Sequence, residues 1–216
     1  MKLTIVYDND VYKKGVGLKS NWGFSCLIET KDENILFDTG TKGKILINNM
    51  KILDIGPRDI NKIVISHEHH DHNGGIESLV PFIENAEIYR LEKTDIDEKI
   101  KTMVVEKPQM ISEDVYTTGR LAGSPKDEQS LILKGKKGWY VLVGCSHSGV
   151  ENILQASEKF GDVLGIIGGL HGFKNFPVLG DLDLICASHC TRYKRKLKKL
   201  YPTKFVEGGV GQVFDI

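Results

Sequence analysis

The chain has 216 residues, and 40% of them are hydrophobic, which is enough to fill the core of one domain spanning residues 1–216. Its 29 basic residues balance 29 acidic ones, so no overall field attracts nucleic acid or an anionic membrane, and we expect neither partner. No run approaches the roughly 20 apolar residues of a membrane helix. Four cysteines without a CxxC pair, and an N-terminus without the features of a signal peptide, predict a reduced, cytoplasmic protein.

Short apolar runs separated by turns predict strands along the whole chain, with helices between them. Several runs are apolar on both faces, as a sheet covered by helices requires. The predicted strands are residues 3–7, 24–29, 35–37, 62–66, 87–91, 131–134, 139–143, 163–167, 182–187 and 204–206. Residues 93–126 are mixed and charged, and we expect irregular connections there around a strand or helix near 101–105.

Apolar residues recur at helical spacing in three places, namely Ile76, Leu79, Val80 and Ile83, then Val150, Ile153 and Leu154, then Tyr193, Leu197 and Leu200. Pro81 should bend or end the first helix. Ser148, followed three residues later by Glu151, has the capping-box pattern and predicts the start of the second. Pro202 closes the third.

All seven histidines lie directly beyond apolar runs that read as buried strands. One strand leads into residues 67–72, and three others lead into His147, His171 and His189. In open α/β sheets, ligands gather beyond the carboxyl ends of the strands. We therefore expect these imidazoles to converge on a metal centre.

The segment from Ser66 to Gly75 has four histidines and an aspartate within six residues. Neutral imidazole is the commonest zinc ligand, and alternate residues such as His67 and His69 can face one ion while Asp71 and His72 face a neighbouring one. A solvated polar turn is the alternative interpretation. His70 falls at a variable place in the pattern and is expected to be exposed or to lie behind the ligands.

The pattern His67-x-His69-x-Asp71-His72 is the metal-binding signature of the metallo-β-lactamase superfamily, which this chain resembles. Residues 37–40 resemble the early aspartate turn of that superfamily. Residues 127–131, 144–149, 168–171 and 188–191 are similar to a subgroup that includes the dihydropterin ribofuranosyl-aminobenzene-phosphate synthases. The resemblance implies an α/β fold, a four-layer αββα sandwich of two mixed sheets flanked by helices, with a metal cleft at one edge of the sheets.

Carried over onto this chain, the resemblance implies one metal held by His67, His69 and His147 and a second held by Asp71, His72 and His189. The expected ions are divalent, Zn²⁺ first, with Mn²⁺ or Fe²⁺ also suited to imidazole and carboxylate. Catalytic roles are expected for Asp71 and Asp38. Asp38 would accept a hydrogen bond from a ligand imidazole and fix its tautomer, and a turn aspartate holding Thr39 and Gly40 is the alternative.

Many superfamily members place a bridging aspartate after the strand that here ends in Gly168-Gly169-Leu170-His171. His171 is the candidate replacement. A neutral imidazole does not offset the repulsion between two dications, so either the second ion binds more weakly or His171 faces the substrate. A histidine that caps the glycine-rich turn is the structural alternative.

Four weaker signals lie near these motifs. Cys145 and Cys190 lie next to the expected ligand histidines. Cysteines in such positions are more often small buried thiols than metal ligands. Arg192 opens a basic run that otherwise fits the solvated face of the last helix, and it is placed to bind an anionic group. Trp22 either lines the cleft or belongs to the core.

Three function classes fit the sequence. The first is a metal-dependent hydrolase acting on an anionic small molecule, a phosphoester, phosphodiester or cyclic ester. The second is a transferase that joins a dihydropterin to a phosphorylated ribofuranosyl-aminobenzene. The third is a non-catalytic or di-iron redox metal protein, which is disfavoured because di-iron relatives usually carry an acid where His69 stands. A ribonuclease of the superfamily is disfavoured by the neutral charge.

Overall fold

Thirteen β-strands and five α-helices form within residues 1–83, 86–94 and 100–216, the residues that this computed structural model describes. The strands are β1 (Lys2–Tyr7), β2 (Ser25–Glu29), β3 (Asn34–Phe37), β4 (Lys62–Val64), β5 (Glu87–Arg90), β6 (Lys101–Val104), β7 (Gln109–Ser112), β8 (Val115–Thr117), β9 (Leu131–Lys134), β10 (Trp139–Val143), β11 (Val163–Gly169), β12 (Leu184–Ser188) and β13 (Val213–Asp215). The helices are α1 (Gly43–Ile52), α2 (His70–Asn73), α3 (Ile76–Leu79), α4 (Val150–Glu158) and α5 (Lys194–Leu200).

The strands form two mixed sheets. The first has the order β13-β1-β2-β3-β4-β5-β6, with β3 to β6 parallel and the other neighbours antiparallel. The second has the order β12-β11-β10-β9-β8-β7, with β10, β11 and β12 parallel. Parallel strands present their carboxyl ends at one edge, so both sheets carry an edge suited to a ligand site.

Three apolar clusters divide the sandwich into layers. One lies between the sheets and contains Phe24, Phe37, Leu131 and Leu142. Another packs the outer face of the first sheet against α1 and α3, and the last packs the outer face of the second sheet against α4 and α5. The result is the four-layer αββα sandwich expected from the resemblance, because each mixed sheet buries one face on its partner and the other on helices.

Two short helices follow the local sequence closely. Helix α3 ends at Leu79, and a 3₁₀ turn covers Val80–Phe82. Pro81 lies inside that turn and cannot donate the backbone hydrogen bond that a continuing α-helix needs. Helix α5 begins at Lys194 and buries Leu197, while Leu200 is 48% exposed. The predicted apolar stripe of α5 is therefore narrower than its spacing suggested.

Several sequence-based expectations were wrong. In residues 93–126 the element expected near 101–105 is present as β6, but β7 and β8 replace the irregular connections expected after it, and 95–99 lie outside the described residues. Residues 204–206 make only an isolated bridge between Phe205 and Ile185, and the last strand is β13 instead. Helix α1, which has no strong apolar stripe in the sequence, was not predicted. The missed strands are short, and pairing with neighbouring strands decides them. Helix α1 is instead fixed by packing Leu46 and Met50 against the first sheet.

The predicted capping box at Ser148 does not form. Gly149, with a φ of 87°, precedes helix α4, and no side chain caps its first turn. The Ser148 hydroxyl has no hydrogen-bond partner in the described part of the chain. The helix starts one residue later than a box centred on Ser148 requires.

None of the described helices combines the length and the apolar character needed to cross a membrane.

Candidate metal centre

The histidine-bearing segments meet where the parallel strands of both sheets end. Strand β4 leads through Ser66 into His67, and helix α2 begins three residues later at His70. Strand β10 leads into Cys145 and His147, and strand β12 leads into His189. His147 and His189 come from the second sheet and face the loop of the first. The convergence predicted from the strand ends is therefore present.

His67, His69 and His147 bring three ring nitrogens within 4.8 Å of one another. His67 Nε2 and His69 Nδ1 are 3.0 Å apart. The ring of His147 stands almost perpendicular to both, with centroid distances of 4.8 Å to His67 and 4.9 Å to His69. Three nitrogens at this spacing match the three protein ligands of a catalytic metal site, which keeps a further position open. We call these residues the first triad.

Asp71, His72 and His189 form a second triad beside the first, with ligand atoms again within 4.8 Å of one another. Asp71 Oδ2 is 3.3 Å from His189 Nε2 and 3.8 Å from His72 Nε2. The rings of His67 and His72 are in contact, with centroids 4.2 Å apart. The two sets of ligands predicted from the sequence are thus both assembled, side by side.

Two imidazole nitrogens in the triads are unusual because they are buried without a partner. His147 Nε2 and His189 Nε2 have no hydrogen-bond partner among the residues that the structure describes, and the Asp71 oxygen near His189 lies outside hydrogen-bond geometry. A buried polar atom without a partner is costly and calls for an explanation. A divalent cation coordinated by the triads supplies that partner, so the donor set fits the metal that the fold implies.

Asp38, in the turn after β3, orients both triads from behind. Its carboxylate accepts hydrogen bonds from the Ser66 backbone N–H at 2.7 Å and from the Ser66 hydroxyl at 2.8 Å. His72 Nδ1–H donates to Asp38 Oδ2 at 2.6 Å, so His72 Nε2 carries a lone pair that can bind an ion. The hydrogen bond predicted between Asp38 and a ligand imidazole is present, and Asp38 also has the positive φ, 57°, of a turn residue.

Ser66 continues this network to the first triad. Its hydroxyl lies 2.9 Å from His67 Nδ1 and donates to Asp38, so His67 Nδ1–H donates to the Ser66 oxygen. His67 Nε2 then carries the lone pair that faces His69. Partners of this kind fix the tautomer and the ring orientation of metal-binding histidines.

Two residues of the β1–β2 loop hold His189, and the sequence did not point to either. Asn9 Oδ1 accepts from His189 Nδ1–H at 3.1 Å, and the Asn9 amide donates to the His189 carbonyl at 3.1 Å. Asp8 Oδ2 accepts from the His189 backbone N–H at 3.1 Å. His189 has a φ of 46°, and these contacts hold that uncommon backbone conformation in place. An Asp-Asn pair directly after an apolar strand was the available signal.

Glu128 is a second buried carboxylate whose role sequence reasoning missed. It accepts backbone N–H groups from Cys145 at 2.8 Å, from Ser146 at 3.1 Å and from His147 at 2.5 Å. Burial raises the pKa of Glu128 to about 7, against the lowering effect of these hydrogen bonds. A Cβ at residue 144 would collide with the Ser66 hydroxyl, so only glycine fits at the entry to this loop. Glu128 therefore shapes the loop that carries His147.

Burial also sets the protonation of the triads. It lowers the pKa of His67 and His72 and, with the charges of neighbouring imidazoles, lowers that of His147 to about 4. Burial acts to raise the pKa of Asp71, but contacts with His189 and His72 outweigh it and hold that pKa below its usual range. At neutral pH His67, His72, His147 and Asp71 are thus deprotonated, as metal binding needs.

The remaining candidates lie around the triads. His70 is exposed, as expected, and belongs to neither triad. His171 is exposed with its ring 5.2 Å from that of His147, outside the clustered donor sets. The exposed Arg192 donates its backbone N–H to the His171 carbonyl at 2.9 Å. Trp22 is 57% exposed and its ring centre is 5.1 Å from that of His189, so it lines the rim rather than the core.

Residues 23–155, more than half of the chain, match the family described as the Metallo-beta-lactamase superfamily. This segment contains the loop of the first sheet with His67, His69, Asp71 and His72, together with His147. The chain belongs to the metallo-β-lactamase superfamily. Its fold and its clusters of histidine, aspartate and cysteine suit the binding of divalent metal.

Three similar proteins extend the comparison over the whole chain. An uncharacterized protein of Methanocaldococcus jannaschii is 27% identical, over 99% of this chain and 100% of that protein. The 7,8-dihydropterin-6-methyl-4-(beta-D-ribofuranosyl)-aminobenzene-5'-phosphate synthase of the same organism is 26% identical, over 81% of this chain and 82% of the synthase. The crystal structure of a metal-dependent hydrolase of the beta-lactamase superfamily has a TM-score of 0.77 at 20% identity, with 100% and 99% of the two chains covered. The likeness to this hydrolase shows the fold.

Proposed function

We propose that the protein is a metal-dependent hydrolase with a binuclear site, acting on a small anionic phosphoester, phosphodiester or cyclic ester. The observation that carries the proposal is the pair of adjacent triads, each with a buried imidazole nitrogen that lacks a partner within the described residues. Two neighbouring sets of three ligands are the arrangement used to activate water and to bind the oxygen it displaces. Zn²⁺ is the expected ion, with Mn²⁺ or Fe²⁺ as alternatives.

The ions would supply a water of lowered pKa, about 7, and a positive charge that polarises the electrophile. The protein supplies the orientation. Asp38 and Ser66 hold His67 and His72 with their metal-facing nitrogens deprotonated, and Asn9 does the same for His189. Each donor is thereby preorganised, which spares the site the cost of rearranging during the reaction.

Asp71 is the proposed general acid and base of the reaction. Its side chain keeps 19% of its surface exposed, whereas those of His72 and His189 are fully buried. Its carboxylate therefore reaches from the second triad toward solvent. Contact with two imidazoles keeps it ionised, so it can accept a hydrogen bond from the attacking water and orient it. In this proposal it also passes the proton of that water to the leaving oxygen.

Substrate binding is assigned to the rim made by His171 and Arg192. The Arg192 backbone is tied to the His171 carbonyl, and the His171 ring lies against that of His147 in the first triad. An exposed guanidinium beside a metal cleft suits a phosphate group, which it can bind with two parallel hydrogen bonds. The neutral overall charge supports a small substrate over a nucleic acid.

The second candidate function is a transferase. The 26% identity to the dihydropterin ribofuranosyl-aminobenzene-phosphate synthase, over 81% of this chain, favours it. In such a reaction the amine nitrogen of the aminobenzene would attack the pterin methylene carbon and lose a proton, and the metals would stabilise the departing pyrophosphate. The same triads and the same anion-binding rim suit both reactions. The two functions are therefore distinguished by which substrates the protein converts.

The test pairs metal analysis with a substrate screen. Protein freed of metal and reloaded with Zn²⁺ or Mn²⁺ is offered a phosphomonoester, a phosphodiester and a lactone. In parallel it is offered a dihydropterin-6-methyl pyrophosphate as donor with a ribofuranosyl-aminobenzene phosphate as acceptor. The proposal is supported if the wild type hydrolyses one of these substrates and the double variant His67→Ala/His69→Ala loses both the hydrolysis and the bound metal. His70→Ala is the matched control from the same loop, because His70 belongs to neither triad. Pyrophosphate release without hydrolysis would favour the transferase, and equal metal content in the double variant and the wild type would contradict the metal site.

A further inference from the structure

Two cysteines lie where the triads meet, and the proposed function does not use them. Cys145 Sγ is 3.2 Å from His72 Nε2, and Cys145 is 3% exposed. Its sulfur is within 4.8 Å of ligand atoms of His67 and His72, and also within 4.8 Å of those of His189 and Cys190. Cys145 therefore neighbours one member of the first triad and two of the second.

The position of the sulfur is set by the buried backbone around it. The Cys145 N–H donates to Glu128 Oε1 at 2.8 Å, and the preceding carbonyl, of Gly144, accepts from the Gly169 N–H at 3.0 Å. A Cβ at residue 169 would lie 2.7 Å from Cys190 Sγ and 3.3 Å from Cys145 Cα. Strand β11 thus ends without a side chain beside the triads, and the two thiols occupy the space next to it.

The charge of the two triads favours a further anionic ligand. The two triads together contain five imidazoles and one carboxylate, Asp71, so two dications would meet a single ligand charge. Repulsion between ions a few ångströms apart is large in a buried site unless anionic ligands offset it. Within the described residues, Asp71 is the only carboxylate grouped with these histidines and cysteines. A thiolate at Cys145 would add the missing negative charge.

Geometry points the same way. Sulfur and nitrogen donors that share a tetrahedral zinc ion lie about 3.5 Å apart, since zinc is bound at about 2.3 Å by sulfur and about 2.0 Å by nitrogen. The 3.2 Å between Cys145 Sγ and His72 Nε2 is close to this spacing. His189 Nε2, whose residue is 3% exposed, lacks a partner within the described residues. Ligand atoms of His189 lie within 4.8 Å of the Cys145 sulfur and of those of His72, so one ion can reach all three residues.

We propose that Cys145 is a thiolate ligand of the ion held by Asp71, His72 and His189, on the side that faces the first triad. The proposal rests on the proposed metal site. On binding, the S–H bond breaks, its proton passes to solvent, and a sulfur–metal bond forms with no change of oxidation state. Cys190 Sγ contacts the Cys145 carbonyl at 4.0 Å and neighbours fewer of the ligand nitrogens, so we assign it no metal bond.

Cobalt substitution tests this directly. Reduced protein freed of metal is titrated with Co²⁺ under nitrogen, and its absorption spectrum is recorded. Visible bands report Co²⁺ held by any protein donors, whereas an intense near-ultraviolet charge-transfer band reports a sulfur ligand. We expect both in the wild type and in Cys190→Ala, and loss of the near-ultraviolet band alone in Cys145→Ala.

The outcomes separate this proposal from the proposed function. Visible bands without the near-ultraviolet band in the wild type, or a band that survives in Cys145→Ala, would overturn the thiolate ligand and leave the metal site standing. Absence of all bands would overturn both. X-ray absorption of zinc-loaded wild type needs no variant and covers the case in which Cys145→Ala fails to fold. A sulfur shell at about 2.3 Å is the expected result, and only nitrogen and oxygen neighbours would refute the proposal.

Discussion

Asp38 Oδ2 accepts a hydrogen bond from His72 Nδ1–H at 2.6 Å, although the two residues are 34 positions apart in the chain. The same oxygen accepts the Ser66 hydroxyl at 2.8 Å, and that hydroxyl in turn contacts His67. One buried carboxylate thus orients an imidazole in each triad. This arrangement couples the two proposed metal sites through a residue that binds neither ion.

Replacing Asp38 should weaken metal binding at both triads. Asn tolerates the positive φ of this turn, so Asp38→Asn keeps the backbone while removing the charge that fixes the His72 tautomer. We expect a loss of about 10- to 100-fold in affinity, as for other residues that support metal ligands. Competition with a chelator measures it, and Asp114→Asn, an aspartate with a φ of 63°, is the matched control. Unchanged affinity in Asp38→Asn would contradict the role.

Glu128→Gln should destabilise the metal-free protein. The amide of the variant would keep one acceptor oxygen but turn an NH₂ group toward a backbone N–H of the loop 145–147, leaving buried donors unpaired. The expected cost is about 1–3 kcal/mol in the free energy of unfolding, measured by urea denaturation. The exposed Glu151 offers a control in Glu151→Gln. Equal stabilities of the two variants would show that the loop does not depend on Glu128.

The pKa of His147 predicts how its contribution to stability varies with pH. The imidazole takes up a proton near pH 6.5 when unfolded but only near pH 4 in the folded protein, where partial burial and neighbouring imidazoles lower its pKa. Between these values the unfolded state binds more protons, so the contribution is present above pH 6.5 and is lost as the pH falls toward 4.

Urea denaturation of the metal-free protein and of His147→Asn measures that contribution as a difference in the free energy of unfolding. The free energy of unfolding of the wild type should fall relative to that of His147→Asn as the pH decreases from 6.5 to 4. Above pH 6.5 the difference between the two should be constant. A difference that is constant across the whole range would refute the depressed pKa.

Arg192→Ala should weaken the binding of phosphorylated substrates selectively. Loss of one charge-assisted contact raises KM by about tenfold for an anionic substrate and changes kcat little. A neutral ester should show no such change. Arg195→Ala, which removes an exposed guanidinium from helix α5, is the matched control. If both substrates respond alike, Arg192 belongs only to the solvated surface before helix α5.

His171→Ala distinguishes the two roles that the sequence left open for this residue. Since His171 is exposed and belongs to neither triad, we expect metal content and affinity to remain at wild-type values while KM rises. Calorimetric titration with Zn²⁺ and steady-state kinetics provide the two measurements. A weakened second ion in His171→Ala would return the residue to the metal site.

The sequence by itself determined the class of the protein and most of its candidate metal donors. His67, His69, Asp71 and His72 are local to one turn, so the strand that precedes them is enough to place them together. The apolar runs before His147 and His189 placed those residues at strand ends, where parallel sheets gather ligands.

Only the tertiary structure decided which groups support these donors. Asn9 reaches His189 across 180 positions of the chain, and Glu128 reaches back under the loop of His147. Such contacts depend on how the two sheets pack and on strand register, which no local pattern encodes. The sulfur of Cys145 is the same kind of case. In the sequence, Cys145 was interpreted as a buried thiol beside His147. Its distance from His72, which is 73 positions away, is what makes it a candidate ligand.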